Sequence, residues 1–191
     1  MAEHDLGDHF RFTVQAPDGG TLAGPPEGGQ RFRVSAYLDG VAPFAVFLLD
    51  VGQGDVVTSE LDHLPPRVDV SFAGLPSTTF PSYPLPEHFA EKLHAYTRPR
   101  PGGGQTRVKD LLDLSLIVTD LHLPPSRDVW AVVVGVFARY ASHDLSLSVP
   151  SPPSDWRDPY FALATATAHP VTDMDVAVTD IQRFLDACRV G

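Results

Sequence analysis

The sequence has one cysteine, Cys188, only two lysines, Lys92 and Lys109, and no run of 18 or more apolar residues. A lone cysteine excludes an internal disulfide and a cysteine metal cluster, and near the end of a helical pattern it reads as a small hydrophobe. The missing apolar run excludes a spanning helix, and the polar, acidic stretch Met1 to Gly7 does not read as a secretory leader. The expectation is a soluble, cytoplasmic chain with no membrane partner. What remains is ordinary: 191 residues, 43% hydrophobic and 20% charged, enough for one domain or two small lobes with a real core.

A net charge of -10, from 24 acids against 14 bases, argues against a nucleic-acid partner if it is spread evenly. It is not. From Lys92 to Lys109 the chain holds five basic residues, Lys92, Arg98, Arg100, Arg107 and Lys109, and no acidic one. Such an island suits a phosphate backbone; the plainer alternative is a solvated helix-loop-helix surface.

Phe10 to Val14, Arg31 to Leu38 and Pro43 to Val51 read as strands, the first two separated by a loop rich in glycine and proline. Asp39-Gly40 supplies turn chemistry for a hairpin. The return strand is apolar on both faces, which predicts an interior position in the sheet, and Val68 to Phe72 reads as a further short strand. From Pro84 the period changes from two to about 3.6. Helices are expected from Pro84 to Pro99, Arg107 to Thr119, Ser126 to Ala141, within Trp156 to Ala168, and from Thr172 to Val190.

Three local patterns can carry chemistry. In Leu48-Leu49-Asp50-Val51-Gly52-Gln53-Gly54-Asp55 an apolar strand delivers a carboxylate to its end. Burial there is costly unless Asp50 meets a metal or a hydrogen-bond network, and the alternative is an aspartate capping a turn. In Pro86-Glu87-His88-Phe89-Ala90-Glu91-Lys92-Leu93-His94-Ala95, His88 and Lys92 share one flank of a helix. Lys92 can hold a triphosphate as a point charge or simply snorkel from an amphipathic helix. In Arg107-Val108-Lys109-Asp110-Leu111-Leu112-Asp113, the two aspartates can bind a metal, hold Lys92, accept a proton, or merely favour the positive end of their helix.

In order and spacing, these three segments resemble the AbiEii/AbiGii nucleotidyltransferase toxin family, which includes the mycobacterial MenT toxins. The likeness continues through Val136-Phe137-Ala138-Arg139 and Pro152-Pro153-Ser154-Asp155-Trp156, and covers roughly Phe10 to Ala168. It implies an α+β fold: an incomplete nucleotidyltransferase-like mixed sheet over residues 1–82, then a helical lobe over 83–191. By motif position Asp50, Lys92, Asp110 and Asp113 are implied as catalytic, with Asp50 a metal ligand. Lys92, Arg98, Arg100, Arg107 and Lys109 are implied to bind nucleotide or RNA. The resemblance further implies magnesium, an NTP, an RNA acceptor such as the tRNA 3′ end, and an antitoxin protein. Asp50, Lys92 and Asp110 or Asp113 are then expected to converge on one site. The family's Gly-Ser or Gly-Gly turn and Asp-x-Asp strand are not found before Phe10, where Asp5 and Asp8 lie in a polar stretch. Two readings follow: an enzyme whose start lies upstream, or a catalytically dead module of the same fold that binds RNA or protein.

Overall fold

The computed structural model describes residues 9–16, 21–22, 28–52, 56–68, 71–74, 78–99 and 107–190. Asp5, Asp8, Gln53 to Asp55, Arg100 and the loop 101–106 lie outside them. The fold is α+β, and the chain divides into two compact units, Met1–Val56 and Val57–Gly191.

The first unit is a sheet built around β3 (Gly29–Leu38), which pairs with β1 (Phe10–Gln15), β2 (Thr21–Leu22) and β4 (Ala45–Gly52). Val34 faces both Val14 and Phe47, and Gln30 faces both Thr21 and Val51, so β4 lies on one edge of β3 while β1 and β2 share the other. Asp39 takes a φ of 44° in the β3–β4 connection, and the Phe44 N–H closes it on the Ala36 carbonyl at 2.8 Å. A Cβ on Gly29 would collide with the Val51 carbonyl oxygen, so this close approach of two strands needs glycine.

Three expectations about the strands are corrected. Every described pairing is antiparallel, not mixed. The return strand β4 is an edge strand: it pairs only with β3 among the described residues, and all eight of its residues are exposed, Leu48 at 61%. Its apolar pattern encodes cover on both faces that the described part of this unit does not provide. Thirdly, no described residue of 68–72 is in a strand: Asp69 and Val70 lie outside the described residues, and Ser71–Ala73 forms a 3₁₀ turn that Gly74 closes with φ 76°. The pairing there is instead β5 (Asp62–Leu64) with β6 (Phe80–Ser82).

The second unit begins at Val57, so the 57–82 segment groups with the helices and not with the first sheet. The reason is a carboxylate. Helix α1 (Leu85–Thr97) buries Glu87 completely, and its Oε1 accepts the Thr58 N–H (2.8 Å), the Thr58 hydroxyl (2.5 Å) and the Ser59 N–H (2.7 Å). Asp62 in β5 likewise accepts the Leu85 N–H at 3.0 Å, satisfying a donor at the start of α1.

Five helices follow the predicted periods: α1, α2 (Val108–Thr119), α3 (Arg127–Tyr140), α4 (Arg157–Ala166) and α5 (Met174–Val190). In α1, Pro86 sits in the first turn, and Phe89, Leu93 and Tyr96 fall on one buried face. Arg98 is extended because Pro99 follows it, and the helix stops there. Ser126 caps α3 by accepting the Val129 N–H, and Asp173 caps α5 by accepting those of Asp175 and Val176. The core is one cluster drawn from all five helices, with Phe89 edge-on to Phe184 at 4.8 Å and Cys188 fully buried. The connector 149–154 is tied down by Tyr96, whose hydroxyl donates to the Pro150 carbonyl at 2.6 Å.

Burial pushes the Glu87 carboxyl up, but the donors from Thr58 and Ser59 outweigh it and hold the group below its ordinary range. A depressed folded-state pKa gives stability that is present above the unfolded value, about 4.3, and is lost as pH falls through the folded one. Glu87→Gln is therefore expected to cost about 2 kcal/mol at neutral pH. It should also flatten the loss of stability below about pH 5. Thermal unfolding of both proteins between neutral and acid pH checks this; parallel curves would show that the clamp is not formed.

Candidate functional site

Where α1 meets α2, four charged side chains from two short sequence segments come together. Lys92, partly buried on α1, puts its Nζ 2.6 Å from Asp113 Oδ2 and 3.3 Å from Asp110 Oδ1. Arg107, just before α2, donates from Nη1 to Asp110 Oδ2 at 2.7 Å. Asp110, in the first turn of α2, is thus a buried carboxylate between two cations. Of the roles open to the two aspartates, holding Lys92 is the one this geometry makes. Burial works against the Lys92 charge, but the Asp113 and Asp110 carboxylates outweigh it and keep the ammonium protonated.

His88 stands one turn before Lys92 on the same flank, half-buried, its ring edge-on to Tyr83 at 6.2 Å. Burial and the Lys92 charge push its pKa down, with Asp113 opposing. Burial and the nearby Glu91 and Glu87 carboxylates push the Tyr83 phenol up.

Lys92, Asp110 and Asp113 are brought together as expected. Asp50 belongs to the other unit, and its burial at a strand end is corrected. It lies within β4, exposed, opposite Arg31 on β3, which grips it through two bonds of 2.6 and 2.7 Å. Those bonds hold the Asp50 carboxyl below its ordinary range. A cross-strand bidentate pair is what a surface carboxylate finds when an arginine faces it. Of the basic island, Arg98 and Lys109 are exposed, whereas Arg107 is spent on Asp110 and its Nε is buried without a hydrogen-bond partner among the described residues.

Magnesium takes oxygen ligands in near-octahedral geometry. Among the described residues no group of three or more His, Cys, Asp or Glu side chains is placed to hold a metal. Asp50, Asp110 and Asp113 each already face a cation of the protein. The described carboxylates therefore do not fit a magnesium site as they stand.

Two further polar clusters have no sequence signal, because their members lie about fifty residues apart. His94 Nε2 meets the Ser142 hydroxyl at 2.9 Å, Ser142 meets His143 Nδ1 at 3.0 Å, and His143 Nε2 meets the Thr97 hydroxyl at 2.8 Å. Thr97 donates to the Leu93 carbonyl, so it accepts from His143. Burial, His143 and the nearby arginines push His94 down to about 4, so the pair is neutral at pH 7. The second cluster has nucleophile-like order: Ser115 meets His169 Nε2 at 2.8 Å, and His169 Nδ1 lies 3.2 Å from Asp120. Ser115 is completely buried, which makes this a clasp between α2 and the segment before α5, closed to any substrate.

The family model described as the nucleotidyl transferase AbiEii toxin of a type IV toxin–antitoxin system matches residues 2–187 of the chain. No curated protein matches the sequence.

The Lys92–Asp113 contact is open to a direct check. Lys92→Ala and Asp113→Asn are each expected to destabilise the chain, and a double-mutant cycle should give a coupling of about 1 kcal/mol, near the top of the range for partly exposed pairs. Denaturant unfolding of the four proteins measures it; strictly additive effects would show that the two groups do not interact.

Proposed function

The chain belongs to the AbiEii nucleotidyl transferase toxin family of type IV toxin–antitoxin systems, and from that premise we propose that it handles a nucleoside triphosphate at Lys92 and passes the nucleotidyl group to an RNA 3′ end such as that of tRNA. The observation that carries this reading is the Lys92 ammonium, kept charged and aimed by Asp113 and Asp110 while remaining partly open to solvent. A point charge so held meets a triphosphate without first having to be ordered.

In the transfer, an RNA hydroxyl attacks the α-phosphorus, its proton leaves to a base, and pyrophosphate departs with the electrons of the broken bond. Lys92 steadies the negative charge of the phosphates. Asp110 and Asp113 position Lys92, and Arg107 fixes Asp110 from its other side. Arg98 and Lys109 are exposed at the ends of α1 and α2, and with Arg100 they supply cations for the RNA backbone. An antitoxin protein is the expected partner from the type of system, and the cytoplasm the expected place of action. No helix among the described residues is long and apolar enough to cross a membrane.

A second reading has an observation in its favour. In the first unit Asp50 is gripped by Arg31, and in the second Asp113 is held by Lys92 and Asp110 by Lys92 and Arg107, so each of these three carboxylates already faces a cation of the protein. A catalytically dead module that still binds RNA or protein is consistent with that.

Incubation with radiolabelled NTPs and total tRNA separates the two. Under the first reading tRNA is labelled slowly and Lys92→Ala abolishes the labelling. Under the second there is no labelling, but RNA binding weakens with salt and Arg98→Ala/Lys109→Ala flattens that dependence, by roughly 0.7 in log–log slope for each lost single-strand phosphate contact. Labelling undiminished by Lys92→Ala would overturn the assignment of Lys92.

A further inference from the structure

The charges at the α1–α2 junction cancel. Lys92 and Arg107 supply two positive groups, and Asp110 and Asp113 two negative ones. A cluster of zero net charge gives a polyanion little attraction, and the ammonium facing the ligand is already engaged by carboxylates. Nucleotide binding here needs either a cation from solution or a group of the protein that can gain one.

His88 is that group. It lies one turn from Lys92 on the same flank of α1, half-buried, and neither ring nitrogen has a hydrogen-bond partner among the described residues. The groups that act on it are Lys92 from its own helix, Asp113 from α2, and the Tyr83 ring from the segment before α1. An imidazole serving only to pack would bury its ring and bond at least one nitrogen. Among the described residues neither is bonded, and the ring stands one helical turn from Lys92.

We propose that His88 is a second triphosphate-binding group, which takes up one proton as a nucleoside triphosphate docks beside Lys92 and donates N–H bonds to its phosphate oxygens. The proposal rests on the reading that Lys92 holds the triphosphate. In the free protein, burial and Lys92 keep His88 neutral; an arriving phosphate reverses the local field and favours the imidazolium. No bond is made or broken beyond the proton taken from solvent. The proton turns a neutral cluster into a positive one only when the ligand is present, so the free site is not a standing sink for inorganic anions.

Isothermal titration of the full chain with ATP, GTP, CTP and UTP, in buffers of different ionisation enthalpy, counts the protons taken up. The terminal phosphate of the ligand also titrates, so the quantity read is the difference between wild type and H88N. Wild type should take up close to one proton more than H88N, and between about pH 6.5 and 8 its affinity should fall by up to about tenfold per pH unit beyond the change in H88N. H88Q, a second neutral replacement of different length, should match H88N and guards against a misfolded variant. Equal uptake and equal pH dependence in wild type, H88N and H88Q, with binding still lost in Lys92→Ala, would overturn the role of His88 alone. An absence of NTP binding by the wild type, or binding indifferent to Lys92→Ala, would overturn the Lys92 reading and this proposal with it.

Discussion

The second unit is organised by charge buried alongside the apolar stripe of α1. Phe89, Ala90 and Leu93 are at most 1% exposed and anchor the helix in the core, but an apolar stripe alone fixes neither the rotation of a helix nor its register. The flanking polar groups do. Glu87 clamps the incoming chain at Thr58 and Ser59, Lys92 is bound by α2, Glu91 faces Arg139 of α3 at 3.4 Å, and His94 bonds Ser142 just past α3. Glu87 and His94 are buried and would be costly to leave with their partners misplaced, while the partly exposed Lys92 and Glu91 pairs add smaller preferences. The helix therefore has one acceptable setting, and the position of Lys92 follows from it.

How much of this could be read from the sequence depended on whether the signal was local. The five helices were legible because period, caps and breakers lie within each segment: Phe89, Leu93 and Tyr96 at helical spacing, Ser126 as a cap, Pro99 as a stop. Strand positions were less so. The apolar pattern of Val46 to Leu49 reports that both faces suit burial, not which neighbours are present, and so an edge strand reads as an interior one. Asp50 was misjudged for the same reason, since its environment is set by Arg31 nineteen residues away. The roles of Asp110 and Asp113 stayed open because metal binding, base catalysis and charge pairing all ask for carboxylates at that spacing. The charge pairing depends on Lys92, which stands on a different helix.

Proximity of familiar side chains does not by itself make chemistry. Ser115, His169 and Asp120 reproduce the contacts of a hydrolytic triad, yet the serine is sealed in the core, where a substrate would have to displace packed side chains to reach it. Lys92 has contacts no better in kind, but its side chain is 27% exposed. Access, not geometry, separates the clasp from the candidate site, and access comes from where the α1 and α2 faces run out at the surface.

The ion pairs also differ in how readily each can be given up. Arg31–Asp50 is a two-pronged grip, and Arg107 meets an Asp110 carboxylate that would be left uncompensated in the interior if released. Lys92–Asp113 is a contact between a compact ammonium and a carboxylate whose side chains are 27% and 35% exposed, a class worth about 1 kcal/mol or less. Asp113, if left by Lys92, can turn to water at little cost. Lys92, a compact ammonium on a flexible stem, is thus the cation of the cluster held least firmly, while Arg107 keeps Asp110 in place. A planar guanidinium at position 92 would hold two acids more firmly and would be harder to recruit. The firmer pairs are thus the two-pronged grip and the one on a buried carboxylate, and the looser one faces solvent.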